Sequence, residues 1–202
     1  MSKGVQVGIT GGIGAGKSLI CKFFRLLGVP VYDADSMAKE LMVKDPNLVG
    51  KVKSAFGDDS YYPDGTLNRQ YLAGQVFSDS EKVKVLNSLV HPLVGLHYQE
   101  WAAYYLKHFP YVVKEAALMF ESNSHKSLDQ VIAVVCNEEE RIRRVLKRDP
   151  QRSEEQIKGI IAKQISDKER AAKADIIIHN DNSELVIPKL LALHEQFSNG
   201  NL

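Results

Sequence analysis

Gly11-Gly12-Ile13-Gly14-Ala15-Gly16-Lys17-Ser18 fits the pattern GxxxxGK[ST], and it lies between an apolar, β-branched run at residues 5–10 and the helical pattern KSLICKFFRLLG. Strand, glycine-rich turn and helix are the context in which that spacing holds phosphate. Glycines let successive backbone N–H groups turn inward at little steric cost, and the following helix adds its positive N-terminus. Gly12, Ile13, Gly14, Ala15, Gly16, Lys17, Ser18 and Leu19 are therefore the expected nucleotide-contacting set. Lys17 would offset β- and γ-phosphate charge, and the Ser18 hydroxyl would ligate Mg²⁺. A dinucleotide-binding loop is excluded, because no GxGxxG register exists within residues 8–19.

Working outward, the next apolar run, residues 29–32 around Pro30, closes a strand–helix–strand unit whose crossover demands a parallel sheet. Further strands are expected at 111–117, 131–136 and 175–179, with helices at EEERIRRVLKR and around 184–197. These strands read as continuous apolar runs, as expected when helices cover both faces of a sheet. Residues 36–108 carry helical periodicity without a convincing strand and read as an inserted helical subdomain. Residues 148–171 are charged and contain Ser153 before Glu154–Gln156, a helix N-cap signature, and read as an exposed, mobile lid. The expected fold class is thus α/β, a three-layer P-loop NTPase fold with a parallel sheet. Its core comprises residues 1–35, 109–147 and 172–202.

The 202 residues are 44% hydrophobic and 25% charged, enough for one sizeable core. Lysine plus arginine number 26 against 25 aspartates and glutamates, so no global field draws the chain to nucleic acid or an anionic membrane. Any anion site must be local. Cys21 and Cys136 lie far apart with no ligand spacing, which argues against a zinc site or a disulfide framework and for buried thiols in a reducing compartment. No signal-like start and no membrane-spanning run are evident, so a soluble cytoplasmic protein is expected.

A nucleotide loop does not say what the nucleotide is for. No asparagine is followed by lysine, which weighs against the guanine-reading NKxD element of a GTPase. At the end of the third strand only Lys114-Glu115 supplies charge, a weak match to the acids of mechanical ATPases. Asp33-Ala34-Asp35 follows the second strand, at the sheet edge where parallel α/β folds bind ligands. Two roles are open to this pair: orienting and deprotonating an acceptor hydroxyl, or capping a helix that starts near Ser36. Among Arg141, Arg143, Arg144, Arg148 and Arg152, Arg148 stands at the helix-to-lid junction and is the best placed to stabilise a transferring phosphoryl group. His91, before Pro92, reads as a helix-end residue; His97 does not share its i, i+4 face, so no histidine metal site is expected. Trp101, Tyr104 and Tyr105 read as core.

GITGGIGAGKS with VYDAD, DGTLNRQYLAGQVFSD, LNSLVHPLV, ALMFES and the RD…SEEQ…Q…K…AD…I.N pattern together resemble the dephosphocoenzyme A kinase family from end to end. Their order and spacing are more specific than any single piece. The resemblance implies transfer from Mg-ATP to the ribose 3′-hydroxyl of dephospho-CoA, a helical acceptor-binding insertion at 36–108, and a lid. By match it implies Asp35 as general base with Asp33 in support, Thr10 near the reacting groups, Arg148 on the transferring phosphate, and Asn68, Arg69 and His91 toward the acceptor. Three departures stand out. Leu19 replaces the threonine usual after Ser18, Ala117 replaces a proline, and Ile160 occupies a lid position often held by arginine. The implied partners are the small molecules ATP and dephospho-CoA, with a monomer or weak homo-oligomer expected. Two rivals remain at this level: a kinase for another nucleotide or small hydroxyl metabolite, and a nucleotide-dependent switch whose lid exposes a partner surface.

Overall fold

The computed structural model describes residues 4–76 and 79–200. Phe77 and Ser78 of the DGTLNRQYLAGQVFSD run, and the chain ends, lie outside the described residues. Five strands, β1 (Val5–Gly11), β2 (Val31–Asp33), β3 (Tyr111–Glu115), β4 (Gln130–Val135) and β5 (Ile176–His179), form one sheet in the order β2-β3-β1-β4-β5. Every pairing is parallel. From β1 the chain goes out to β2, returns to β3 beside β1, and then crosses to β4 on the other side. Connections therefore diverge at the carboxyl end of β1, the topological switch point where such sheets take ligands.

Two faces of the sheet are covered, as the continuous apolar strands require. On one face, Val5, Val7, Ile9 and Val113 pack with Ile20, Cys21 and Phe24 of α1 (Lys17–Leu26) and with Leu190, Leu193 and Phe197 of α9 (Val186–Ser198). The other face carries the close approach of Gly8 to Met119 and Leu128, where a β-carbon would stand 2.6 Å from each, so any larger residue would have to displace both side chains. Between β4 and β5 come α6 (Glu138–Arg148), α7 (Glu154–Ala162) and α8 (Asp167–Lys173). A full capping box, Ser153 with Gln156, starts α7 as its sequence predicts.

The chain divides into two compact units, Met1–Asp33 with Trp101–Leu202, and Ala34–Glu100. Within the second, α2 (Ala34–Lys44) leads to α3 (Pro46–Phe56), which Asp45 caps by accepting from the Leu48 N–H at 2.8 Å, with Pro46 in the first turn. Leu48, Val52 and Phe56, four residues apart, form its buried stripe. Next come α4 (Arg69–Val76) and α5 (Ser80–Tyr105), and an isolated antiparallel bridge joins Tyr61 to Leu67.

Several boundaries differ from the sequence reading. β2 starts at Val31, not 29, because the Val29 N–H is taken by the Phe24 carbonyl at the end of α1. β3 stops at Glu115. His91 is not a helix end: it lies inside the 26-residue α5, which carries Pro92 in its interior. The unit boundary accordingly falls at Glu100, within α5, rather than at 108. Residues 148–171 belong to the first unit and are not exposed throughout, since Ile157 is fully buried against Ile142 and Val145.

Candidate active site

The turn after β1 is held open by its own backbone. Gly14 and Gly16 have φ of 78° and 97°, the left-handed region that side chains disfavour, and Gly16 is the N-cap of α1. The loop is fastened from outside. The Asn180 amide donates to the Ala15 carbonyl at 2.8 Å, and Arg141 Nε donates to the Ile13 carbonyl at 2.9 Å. A β-carbon on Gly16 would stand 2.1 Å from the Asn180 nitrogen.

This loop forms one wall of a cavity of about 430 Å³. Gly12, Gly14, Gly16, Lys17, Ser18 and Leu19 line that wall, and Arg144, Val145, Arg148, Asn180 and Asn182 line the other. Three cations and the first turn of a helix, with no acid in it, converge on the space. The cavity suits a polyphosphate. Arg144 is aligned by Glu140, which accepts from its Nε at 2.8 Å and from Arg143 Nε at 2.6 Å. Those guanidiniums, Arg143 foremost, hold the Glu140 carboxyl down to about 2, so it stays ionised and fixed. Arg148 is more exposed and is paired with Asp149 at 3.0 Å.

Ser18 Oγ donates to Glu115 Oε1 at 2.7 Å, and Glu115, at the end of β3, is only 4% exposed. Donating its proton inward leaves the Ser18 lone pairs to face outward, which suits a hard divalent cation. Among the described residues no cluster of three or more His, Cys, Asp or Glu side chains could hold a metal. Magnesium needs none there, since it takes most of its ligands from phosphates and water. Burial, then the Glu115 carboxylate, push the Cys21 thiol up, so this buried residue is packing and not a nucleophile.

The remaining expected residues fall into separate places. Asp33 ends β2, in register with Glu115 across the β2–β3 pair. Asp35 lies in the first turn of α2, which begins at Ala34, two residues before the expected start near Ser36, so Asp35 is inside the helix rather than before it. Thr10 is fully buried, and its hydroxyl donates to the Ala117 carbonyl at 3.4 Å, holding the segment that follows β3. Ile13 and Ala15 do not line the cavity; Ile13 packs outward on Ile142, Val145 and Ile157. Asn68 caps α4 by accepting from the Tyr71 N–H at 3.1 Å, Arg69 is exposed beside it, and His91 is half-buried within α5. Sequence reasoning gave no role to Arg144, Asn180 or Asn182. Asn180 had a signal, the I.N spacing at the end of the last strand, and Asn182 takes a left-handed φ of 68° that asparagine tolerates.

Among the described residues no helix is long and apolar enough to cross a membrane. A family model described as dephospho-CoA kinase matches residues 5–185. A dephospho-CoA kinase from Chlorobium chlorochromatii is 37% identical over 196 residues, 94% of this chain and 92% of its own. One from Colwellia psychrerythraea is 40% identical over 185 residues, 92% of this chain and 90% of its own. The solved structure of a dephospho-CoA kinase from Campylobacter jejuni aligns over 98% of both chains with a TM-score of 0.72 at 27% identity.

Proposed function

The chain belongs to the dephospho-CoA kinase family, and from that premise we propose how its own residues carry the last step of coenzyme A synthesis, phosphoryl transfer from ATP to dephospho-CoA. The observation that carries the assignment of parts is the cavity in which a complete phosphate loop faces Arg144 and Arg148. The acceptor 3′-hydroxyl oxygen forms a bond to the γ-phosphorus as the bond to the β,γ-bridging oxygen breaks, leaving ADP. Charge moves onto the leaving oxygen, and Lys17 with the loop N–H groups is the set of donors that meets it.

Arg144, aligned by Glu140, and Arg148, at the end of α6, stabilise the equatorial oxygens. Asp35 takes the hydroxyl proton as the new bond forms, and Asp33 supports it. Ser18, with Glu115 behind it, would be the residue that holds Mg²⁺, which when bound would supply positive charge to offset that of the phosphates. Asn180 keeps the Ala15 peptide from turning its carbonyl into the cavity. Asn68 positions α4, and with Arg69 and His91 belongs to the helical unit proposed to recognise the acceptor.

The test measures ADP formed from ATP with dephospho-CoA, AMP, CMP or adenosine as acceptor. Only dephospho-CoA should support turnover. Asp35→Asn should lower kcat by about 10²-fold while ATP binding survives, since asparagine keeps the size but cannot accept the proton. Parent-like turnover in a folded Asp35→Asn protein would remove this acid as base. Preference for another acceptor would overturn the assignment of the helical unit.

A further inference from the structure

Ile13 is gripped at all three of its chemical handles by residues that come after β4. Its N–H donates to Gln164 Oε1 at 2.9 Å, its carbonyl accepts from Arg141 Nε at 2.9 Å, and its side chain packs into the Ile142, Val145 and Ile157 cluster. Neither Gln164 nor Arg141 lines the cavity.

The Arg141 guanidinium lies against the loop. It is 5% exposed, and a β-carbon on Gly12 would stand 2.2 Å from its Nη2. The Arg141 carbonyl is as close to Gly14, 2.4 Å from where a β-carbon would sit. The residue therefore forms the mould into which residues 12–14 are pressed, and its bulk explains why both positions are glycine.

Arg141 is itself held. Its Nη1 donates to Asp167 Oδ2 at 3.1 Å, and the other oxygen of that carboxylate pairs with Arg170, which is fully buried. Arg170 Nη2 donates to the Ile165 carbonyl at 3.0 Å, and the Ile165 N–H donates to Glu121 at 3.2 Å. The turn between α7 and α8 is thus fixed to the segment after β3 at one end and to the nucleotide loop at the other. Asp167 is the shared joint, one carboxylate serving two guanidiniums.

We infer that Arg141 is a positioning residue for phosphoryl transfer, setting the shape of the nucleotide loop through the Ile13 peptide, with Asp167 and Gln164 coupling that shape to the α7–α8 turn. The inference rests on reading the cavity as the seat of ATP. A loop whose N–H groups are pre-aimed binds the polyphosphate in ground state and transition state alike, so its loss appears as weaker nucleotide binding. Acceptor affinity is untouched.

The experiment measures ADP affinity by calorimetry, KM for ATP and for dephospho-CoA, and melting temperature, in the parent, Arg141→Gln, Asp167→Asn and the double variant. Arg141→Gln should weaken ADP binding and raise KM for ATP about 10-fold, the scale of one hydrogen bond to a charged group, and leave KM for dephospho-CoA within about twofold. Asp167→Asn should act in the same direction, and the double variant should be no worse than Arg141→Gln alone, because both lie on one path. Unchanged ADP affinity in folded Arg141→Gln, or additive losses in the double variant, overturns the inference. Should Arg141→Gln fail to fold, Gln164→Ala removes only the other hydrogen bond to Ile13 and decides by the same ADP measurement. Failure of the parent to bind ADP would instead sink the reading of the cavity itself.

Discussion

Adding one methyl group at Gly14 or at Gly28 separates the cost of backbone conformation from the cost of lost geometry. Both glycines have nearly the same positive φ, 78° and 81°. Alanine at either position pays a left-handed penalty of about 1 kcal/mol, which lowers the melting temperature of a chain this size by about 2–4 °C. Their surroundings differ completely. Gly28, at the end of α1, has nothing within 4 Å of an added methyl, whereas the Gly14 methyl would stand 2.4 Å from the Arg141 carbonyl oxygen and 3.0 Å from its carbonyl carbon. Comfortable contact requires about 3.5 Å, so the loop must retreat by about 1 Å from a helix that is itself anchored. A displacement of about 1 Å at a reacting centre costs about 10²-fold in rate. Gly28→Ala should therefore melt slightly lower with parent-like kcat/KM for ATP, and Gly14→Ala should lose about 10²-fold in that constant. Coupled ADP release and thermal melting on both variants suffice. If Gly14→Ala stayed within threefold of the Gly28→Ala activity, the claim that α6 moulds the loop would be wrong.

Arg148→Ala should lower kcat more than it raises KM for ATP, because its proposed interaction forms with the transition state; a change in KM alone would make it a ground-state clamp. Glu140, held down by Arg143 and Arg144 to about 2 from an ordinary 4.5, contributes stability that is fully present above pH 4.5 and lost as pH falls through about 2. Glu140→Gln should melt below the parent at pH 7, with the gap closing across that window; a gap constant down to pH 2 refutes the pairing. Burial lowers Lys114 from 10.5 to about 8, so the unfolded chain holds its proton more tightly, and stability gained from deprotonation accrues as pH rises from about 8 to 10.5. The melting-temperature difference between Lys114→Met and the parent should accordingly move in the parent's favour from pH 7 to pH 10; a difference equal at both would mean that the burial carries no electrostatic cost.

Where a segment's own chemistry decides its structure, the sequence was enough. The helix at EEERIRRVLKR spans Glu138–Arg148 as read, because Asn137 caps it and its apolar positions repeat at helical spacing. The Ser153 cap is equally local, and the motif from Gly11 to Ser18 announces its loop in the sequence even though Arg141 and Asn180 fasten it from a distance. Pro92 shows the opposite case. A proline disfavours helix in the residue before it, yet the buried positions Val90, Val94 and Tyr98 continue at four-residue steps straight across it, and packing outweighs the local cost. Of the site, Lys17, Ser18 and Arg148 were legible from motif and junction. Arg141 was not, being one of five arginines in a charged run, and only the fold presses it against glycines more than a hundred residues earlier. Nor was the Glu115 partnership with Ser18, which needs the register of β3 beside β1.

The place of β1 at the middle of the sheet also sets an order of events for the chain as it is made. Its neighbours are β3 and β4, with Val5 beside Tyr111 and Val7 beside Gln130. At about 5–20 residues per second, the first apolar strand leaves the ribosome on the order of ten seconds before either partner exists. Until then Val5, Val7 and Ile9, all of which end fully covered, have only α1 to shelter against. Distant parallel pairings of this kind also make folding slow once synthesis is complete. The arrangement that puts the phosphate loop at the centre of the sheet thus leaves the strand leading into it waiting for partners made more than a hundred residues later.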